Sequence, residues 1–203
     1  MGALVGGSPG RAVAGVVGDP FLMPVEDVFL RPQGRAVMVT GRIERGRVRR
    51  GDVVEIVGSG GSVTAVVADV EQGRVRTDAA GAGTNAGVLL RGVAPDAVAR
   101  GRVLAAPGSV GAHAGLTADI TLLSAEQGGA DVVPGDRLCF HFRTAAVWGT
   151  VTLPGGTDTV RPLHGAEVTV ALGEPVALEA GQSFAFRHRG RAAGSGTVTR
   201  LLR

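Results

Sequence analysis

Glycine and proline set the limits on this fold. The 203-residue chain carries 34 glycines and 10 prolines, scattered with no triplet period, which excludes a collagen-like rod. Long helices have little room among so many breakers. Glycine forfeits backbone entropy inside a helix and proline lacks the amide donor. The apolar residues between the breakers are rich in valine, whose branched side chain suits a pleated strand. Hydrophobic residues amount to 44%, enough for a core in one or two domains. The expectation is an all-β protein of short strands and tight turns.

Short β-like runs cover 24–30, 36–43, 52–57, 62–70 and 86–90 in the first half. One helical turn is expected over 94–100, with Pro95 in its first turn. Ala106-Pro107-Gly108-Ser109 reads as a junction, and a second series follows over 116–123, 137–143, 147–153, 167–172, 183–189 and 194–202. Such closely spaced strands favour closed barrels, because closure removes exposed edges. Alternation puts Phe140 and Phe142, and Phe184 and Phe186, on one face of their strands. Cys139, His141 and Arg143, with Ala185, Arg187 and Arg189, take the opposite faces. The reading is a flexible leader over 1–18 and two tandem antiparallel β-barrels, over 19–107 and 108–203. The leader lacks the basic region and compact apolar stretch of a secretory signal.

The charge pattern excludes whole function classes. All 21 basic residues other than histidine are arginine, with no lysine anywhere. A phosphate-binding loop ending in Lys is therefore impossible within these residues, and so is Schiff-base chemistry. A net charge of +3 permits a nucleic-acid partner without requiring one. Cys139 is the only cysteine, so no intrachain disulfide exists. With no apolar run of membrane-spanning length, a cytoplasmic chain is expected. His113, His141, His164 and His188 are scattered, with no zinc-binding spacing. Cys139 and His141 share a strand face, either as a reactive pair or as a half-buried thiol beside a surface imidazole. Glu26 and Asp27 are adjacent, so on a strand they point to opposite faces and make a poor acid–base pair. The expectation is no enzyme, no metal and no cofactor.

The segments 58–61 and 81–87 are rich in glycine. No helical pattern follows either one, so they read as hairpin turns and not as phosphate loops. Two arginine clusters remain: Arg42, Arg45, Arg47, Arg49 and Arg50, then Arg187, Arg189 and Arg191. If the strand continues through Gly190, the second cluster forms a row on one face suited to RNA phosphates. The alternative is a solvated face with acidic partners, where Glu44 could serve the first cluster.

The residues also carry a family pattern. Asp19-Pro20-Phe21-Leu22-Met23-Pro24-Val25-Glu26-Asp27-Val28-Phe29 is followed by Gly34-Arg35-Ala36-Val37-Met38-Val39-Thr40-Gly41-Arg42-Ile43. Gly51-Asp52-Val53-Val54-Glu55-Ile56, Asn85-Ala86-Gly87-Val88-Leu89-Leu90-Arg91-Gly92 and Arg100-Gly101-Arg102-Val103-Leu104 come next. Later landmarks are Glu126-Gln127-Gly128-Gly129, Phe140-His141-Phe142-Arg143-Thr144, Gly149-Thr150-Val151-Thr152-Leu153-Pro154 and the run from Arg187 to Gly196. In this order they resemble the second and third domains of bacterial elongation factor Tu, over about residues 19–203. The resemblance implies two antiparallel β-barrels. Nothing in these residues corresponds to the family's GTPase domain.

By that resemblance, the first barrel holds the aminoacyl end of charged tRNA through Glu26, Asp27, Phe29, Thr40 and Asn85. The second touches the T arm through Arg187, Arg189, Gly190 and Arg191. There are departures. Gly73 stands where the family places a ring, Arg189 replaces a glycine, Glu174 replaces a basic residue, and Gly128-Gly129 is followed by Ala130-Asp131 where the family has Arg-His. Carboxylates beside phosphates repel, so aminoacyl-tRNA binding by the barrels alone is expected to be weak. GTP and Mg would enter only with a separate GTPase subunit. The competing expectations are a module or decoy docking translation-factor partners, and a remnant without activity.

Overall fold

A computed structural model describes residues 18–30 and 36–202. The expected leader, apart from Gly18, lies outside the described residues. The first part contains β1 (Leu22–Pro24), β2 (Asp27–Leu30), β3 (Val37–Arg42), β4 (Arg47–Arg49) and β5 (Val53–Gly58). It continues with β6 (Gly61–Gln72), β7 (Val75–Thr77), β8 (Ala79–Gly81), β9 (Asn85–Arg91) and β10 (Val103–Ala105). The second part contains β11 (Gly111–Leu122), β12 (Arg137–Phe142), β13 (Ala145–Thr152), β14 (Gly165–Leu178), β15 (Ser183–His188) and β16 (Arg191–Leu202). The fold is all-β, as the breaker density demands. Among the described residues no helix is long and apolar enough to cross a membrane.

The first sheet runs β1-β10-β5-β6-β9-β3-β2, with β7 attached to β6 and a separate β4-β8 ribbon. Its two end strands, β1 and β2, are consecutive in the chain. The corner between them is fastened by Val25 N–H donating to Arg102 O at 2.9 Å and Glu26 N–H donating to Thr40 O at 2.8 Å. The sheet thus curls around a core that includes Met23, Val39, Ile43, Ile56, Val88 and Leu90. The second part is a closed barrel in the order β11-β14-β13-β12-β15-β16. Its core holds the four inward phenylalanines, with Phe142 and Phe184 ring centroids 5.0 Å apart. Gly149 makes space for them, since a Cβ there would lie 3.0 Å from the Phe140 ring.

Several expectations are corrected. The run expected over 24–30 divides at Val25 and Glu26, because the chain turns from one sheet edge to the other. The glycine-rich segment 58–61 is the β5–β6 hairpin, as expected. The segment 81–87 is not a hairpin. It links β8, paired with β4, to β9, paired with β6 and β3. The helical turn shrinks to a 3-10 turn at Pro95–Ala97. Arg143 leaves the strand face expected for it and occupies the turn between β12 and β13 with φ of 52°, a left-handed conformation.

Between the two barrels lies an apolar seam of Leu22, Val57, Val103 and Ala105 from the first and Val110 and Ala177 from the second. A charged clamp borders it. The Arg143 Nη2 donates to Glu179 Oε2 at 2.7 Å and its Nε to Glu44 Oε2 at 3.0 Å. Glu44 therefore reaches the second barrel, while its charge also acts on Arg45 of its own arginine cluster. Burial pushes the Glu179 carboxyl up, but hydrogen bonds and charge from Arg45 and Arg143 outweigh it and hold its pKa below the usual range.

Candidate functional site

The residues expected at the aminoacyl end converge on one face of the first sheet. Cross-strand register sets Asp27 opposite Thr40, Thr40 opposite Gly87, and Gly87 opposite Glu71. Directly opposed residues in antiparallel strands project to the same side. These four positions therefore form a row across β2, β3, β9 and β6. The row is not filled at Gly87, where a Cβ would lie 3.1 Å from Met38 Sδ and 3.6 Å from Glu71 Cβ. The missing side chain leaves a hollow of about 250 Å³, whose wall includes Glu26, Thr40, Glu71, Arg74 and Asn85.

Three of the expected residues, Glu26, Thr40 and Asn85, line this hollow. Asp27 belongs to the same row but does not line it. Phe29 lies one row further along β2, opposite Met38, and is 53% exposed. An exposed ring on an open sheet face is available for stacking, which a core ring is not. Gly73 and Arg74 form the β6–β7 turn with φ of 55° and 68°. Gly73 leaves that rim without a ring, and Arg74 stands beside it in the wall of the hollow. Two carboxylates against one guanidinium give the wall a net negative charge, which suits an ammonium group and hydroxyl donors.

Sequence reasoning missed Met38, Glu71, Arg74 and Gly87 here. Met38 and Gly87 lie two residues from Thr40 and Asn85 on the same strands, β3 and β9, whereas Glu71 on β6 and Arg74 in the β6–β7 turn are brought in by sheet register. The alternation of buried Ala86, Val88 and Leu90 with Gly87 and Leu89 on β9 was the available signal.

The T-arm candidates occupy the β15–β16 hairpin of the second barrel, apart from the hollow. The expected row of three arginines does not form. β15 ends at His188, and Arg189 and Gly190 make the turn with φ of 49° and 80°. Arg191 then opens β16 opposite His188. Arg187 stays exposed on the outer face of β15, opposite Cys139 and Ala192. His188 is buried, with Nε2 3.8 Å from Asp136 Oδ2. Gly128 abuts this hairpin, because a Cβ there would lie 2.7 Å from Ala192 O and 3.7 Å from Arg191 Cβ. The loop after Gly128-Gly129, with Ala130 and Asp131, therefore starts beside the arginine turn. Cys139 Sγ and His141 Nε2 lie 3.8 Å apart on the outer face of β12. Among the described residues no group of three or more His, Cys, Asp and Glu could hold a metal ion.

A larger hollow, of about 530 Å³, lies between the barrels and includes Glu44, Arg45, Arg143, Glu179 and Gln182 in its wall. Its charged groups are engaged with one another across the joint, so it serves cohesion between the barrels.

Comparison with known families gives two matches in tandem. A family model described as elongation factor Tu domain 2 matches residues 36–105. One described as elongation factor Tu C-terminal domain matches residues 109–202.

Proposed function

The chain belongs to the elongation factor Tu family, through that family's second and third domains, and from this premise we propose that it is a cytoplasmic RNA-binding module for aminoacyl-tRNA with no catalysis of its own. The observation that carries the reading is the hollow over Gly87, walled by Glu26, Thr40 and Asn85. Its carboxylates can accept protons from a free α-amino group, and its hydroxyl and amide can bond ribose or ester oxygens. Phe29 offers a π-face to the terminal adenine. Arg187, Arg189 and Arg191, with Gly190 in the turn, supply charge to the T arm. One wall of contacts gives weak binding by these residues alone, and a separate GTPase subunit bringing GTP and Mg would supply the other wall.

The test is a titration with charged and uncharged tRNA at several salt concentrations. Preference for the charged form, reduced in Asn85→Ala and Thr40→Ala, is the expected result. Equal affinity for both forms, unmoved by either substitution, overturns the reading.

A protein-docking module is the second reading. The observation in its favour is Leu163, 72% exposed with φ of 65° at the third position of a turn closed by His164 N–H on Arg161 O. Among the described residues, neither packing nor backbone preference accounts for a leucine there. A pull-down that returns a stoichiometric translation-factor partner, lost in Leu163→Ser, supports it, and recovery unaffected by Leu163→Ser counts against it.

A further inference from the structure

We propose that the outer face of β12, β13 and β15 is a stacking platform for an unpaired nucleobase of a single-stranded nucleic acid, with Trp148 as the platform and Arg137 and Arg187 as phosphate partners. The strands themselves supply the argument. Alternation buries Leu138, Phe140 and Phe142 of β12 and turns Arg137, Cys139 and His141 outward. Register places Trp148 and Arg187 on either side of Cys139, so the three form one row on the outer surface.

Trp148 is the chain's only tryptophan, and it is 50% exposed. A large apolar ring on a barrel's outer surface loses the free energy it would gain in the core. Among the described residues its cross-strand neighbours leave it 50% exposed, and Arg137 stands over the ring. Cys139 lies opposite it, His141 is flanked by Ala146 and Ala185, and Gly173 of β14 adjoins the Trp148 carbonyl, where a Cβ would lie 3.3 Å away. These small groups make a flat floor around the indole. The side chain recorded against the ring is Arg137, whose guanidinium carbon is 5.7 Å from its centroid. That cation–π contact leaves the guanidinium donors free to bond an anion.

Charge narrows the ligand. β12, β13 and β15 contain no Asp or Glu, while they carry Arg137, His141 and Arg187. Asp136, next to Arg137, accepts from Val133 N–H at 2.9 Å and faces His188. Glu174, one residue beyond Gly173 on β14, marks the limit of the face. An exposed aromatic ring between cations fits a base with its flanking phosphates. Bases in a duplex are already stacked and present only their edges, so the ring's face gains nothing from them. An acidic peptide would satisfy the arginines but leave the indole unused.

The proposal does not rest on the aminoacyl-tRNA reading, because the probes carry neither an aminoacyl end nor a T arm. Trp148 emission is titrated with octaadenylate and octauridylate RNA, their DNA counterparts, a blunt RNA hairpin and polyglutamate. Saturable quenching by the single strands is expected, with either sugar supporting the platform. By labelled-octamer anisotropy, Trp148→Ala should weaken binding about tenfold or more, with Trp148→Phe intermediate. Arg187→Ala should lower the salt slope by about 0.7. Circular dichroism confirms that the variants are folded. No quenching, quenching as strong with the hairpin or polyglutamate, or unchanged affinity in Trp148→Ala would each overturn the platform. Loss of charged-tRNA preference with octamer quenching intact would sink the aminoacyl reading alone.

Discussion

Arg45 and Glu179 are 134 positions apart in the chain, yet Arg45 Nη1 and Nη2 donate to the two carboxylate oxygens of Glu179 at 2.9 and 2.6 Å. This bidentate pair joins the first barrel to the second. Arg143 adds a third bond to the same carboxylate from within the second barrel.

Neutralising Glu179 should therefore cost more than an average surface ion pair. Glu179→Gln keeps the shape and removes the charge, leaving two guanidinium groups partly desolvated. A loss of about 2 kcal/mol is expected by urea unfolding. A double-mutant cycle between Arg45 and Glu179 should return a coupling of about 1 kcal/mol or more. A coupling of zero would leave the apolar seam and the Arg143–Glu44 pair to hold the barrels.

The same carboxylate makes stability depend on acid. Its folded pKa lies below the usual glutamate range because Arg45 and Arg143 favour the charged form more than burial opposes it. The unfolded chain, titrating near about 4.3, takes up the proton first. The clamp's contribution is thus fully present above that value and is lost as pH falls through the lower folded value. Urea midpoints measured from neutral pH down to about 3 should fall less steeply for Glu179→Gln than for the native chain.

Phe29 separates binding from folding. It is 53% exposed, so Phe29→Ala should change stability by no more than about 0.5 kcal/mol. The same change should weaken charged-tRNA binding several-fold through loss of one stacked base. A large drop in melting temperature would instead make Phe29 a packing residue.

Gly149 should not tolerate even one methyl group. A Cβ would lie 2.9 Å from Val170 Cγ1 and 3.0 Å from both Leu172 and Phe140. Gly149→Ala is expected to destabilise the second barrel by about 1–3 kcal/mol, read by thermal unfolding. Phe140→Ala, which empties the centre of the aromatic cluster, should cost about 3–5 kcal/mol.

Leu163 invites the opposite change. Its φ of 65° is costly for a branched side chain, and its exposure means little packing is lost on removal. Leu163→Gly should raise stability by about 1 kcal/mol by relieving that conformation, measured in the same unfolding assay.

The strands of the second barrel were legible because their alternation is strict, as in Phe140 and Phe142 against Cys139 and His141. Those of the first were only partly so. β4, β7, β8 and β10 are three residues each, too short for a period to show. The hollow was half visible: Glu26, Thr40 and Asn85 stand at family-matched positions, while Glu71 and Arg74 reach it through sheet register. The arginine row failed for a local reason. Arg189 adopts a turn conformation, so alternation could not be carried through Gly190 to Arg191. The Glu179 clamp had no local signal at all, since its partners come from distant turns.

The seam and clamp between the barrels have a geometric consequence. They fix the span from the hollow above Gly87 to the hairpin at Gly190, so the chain acts as a caliper with its jaws locked. A ligand that touches both must already have the right length, and one that is too short or too long can engage only a single jaw.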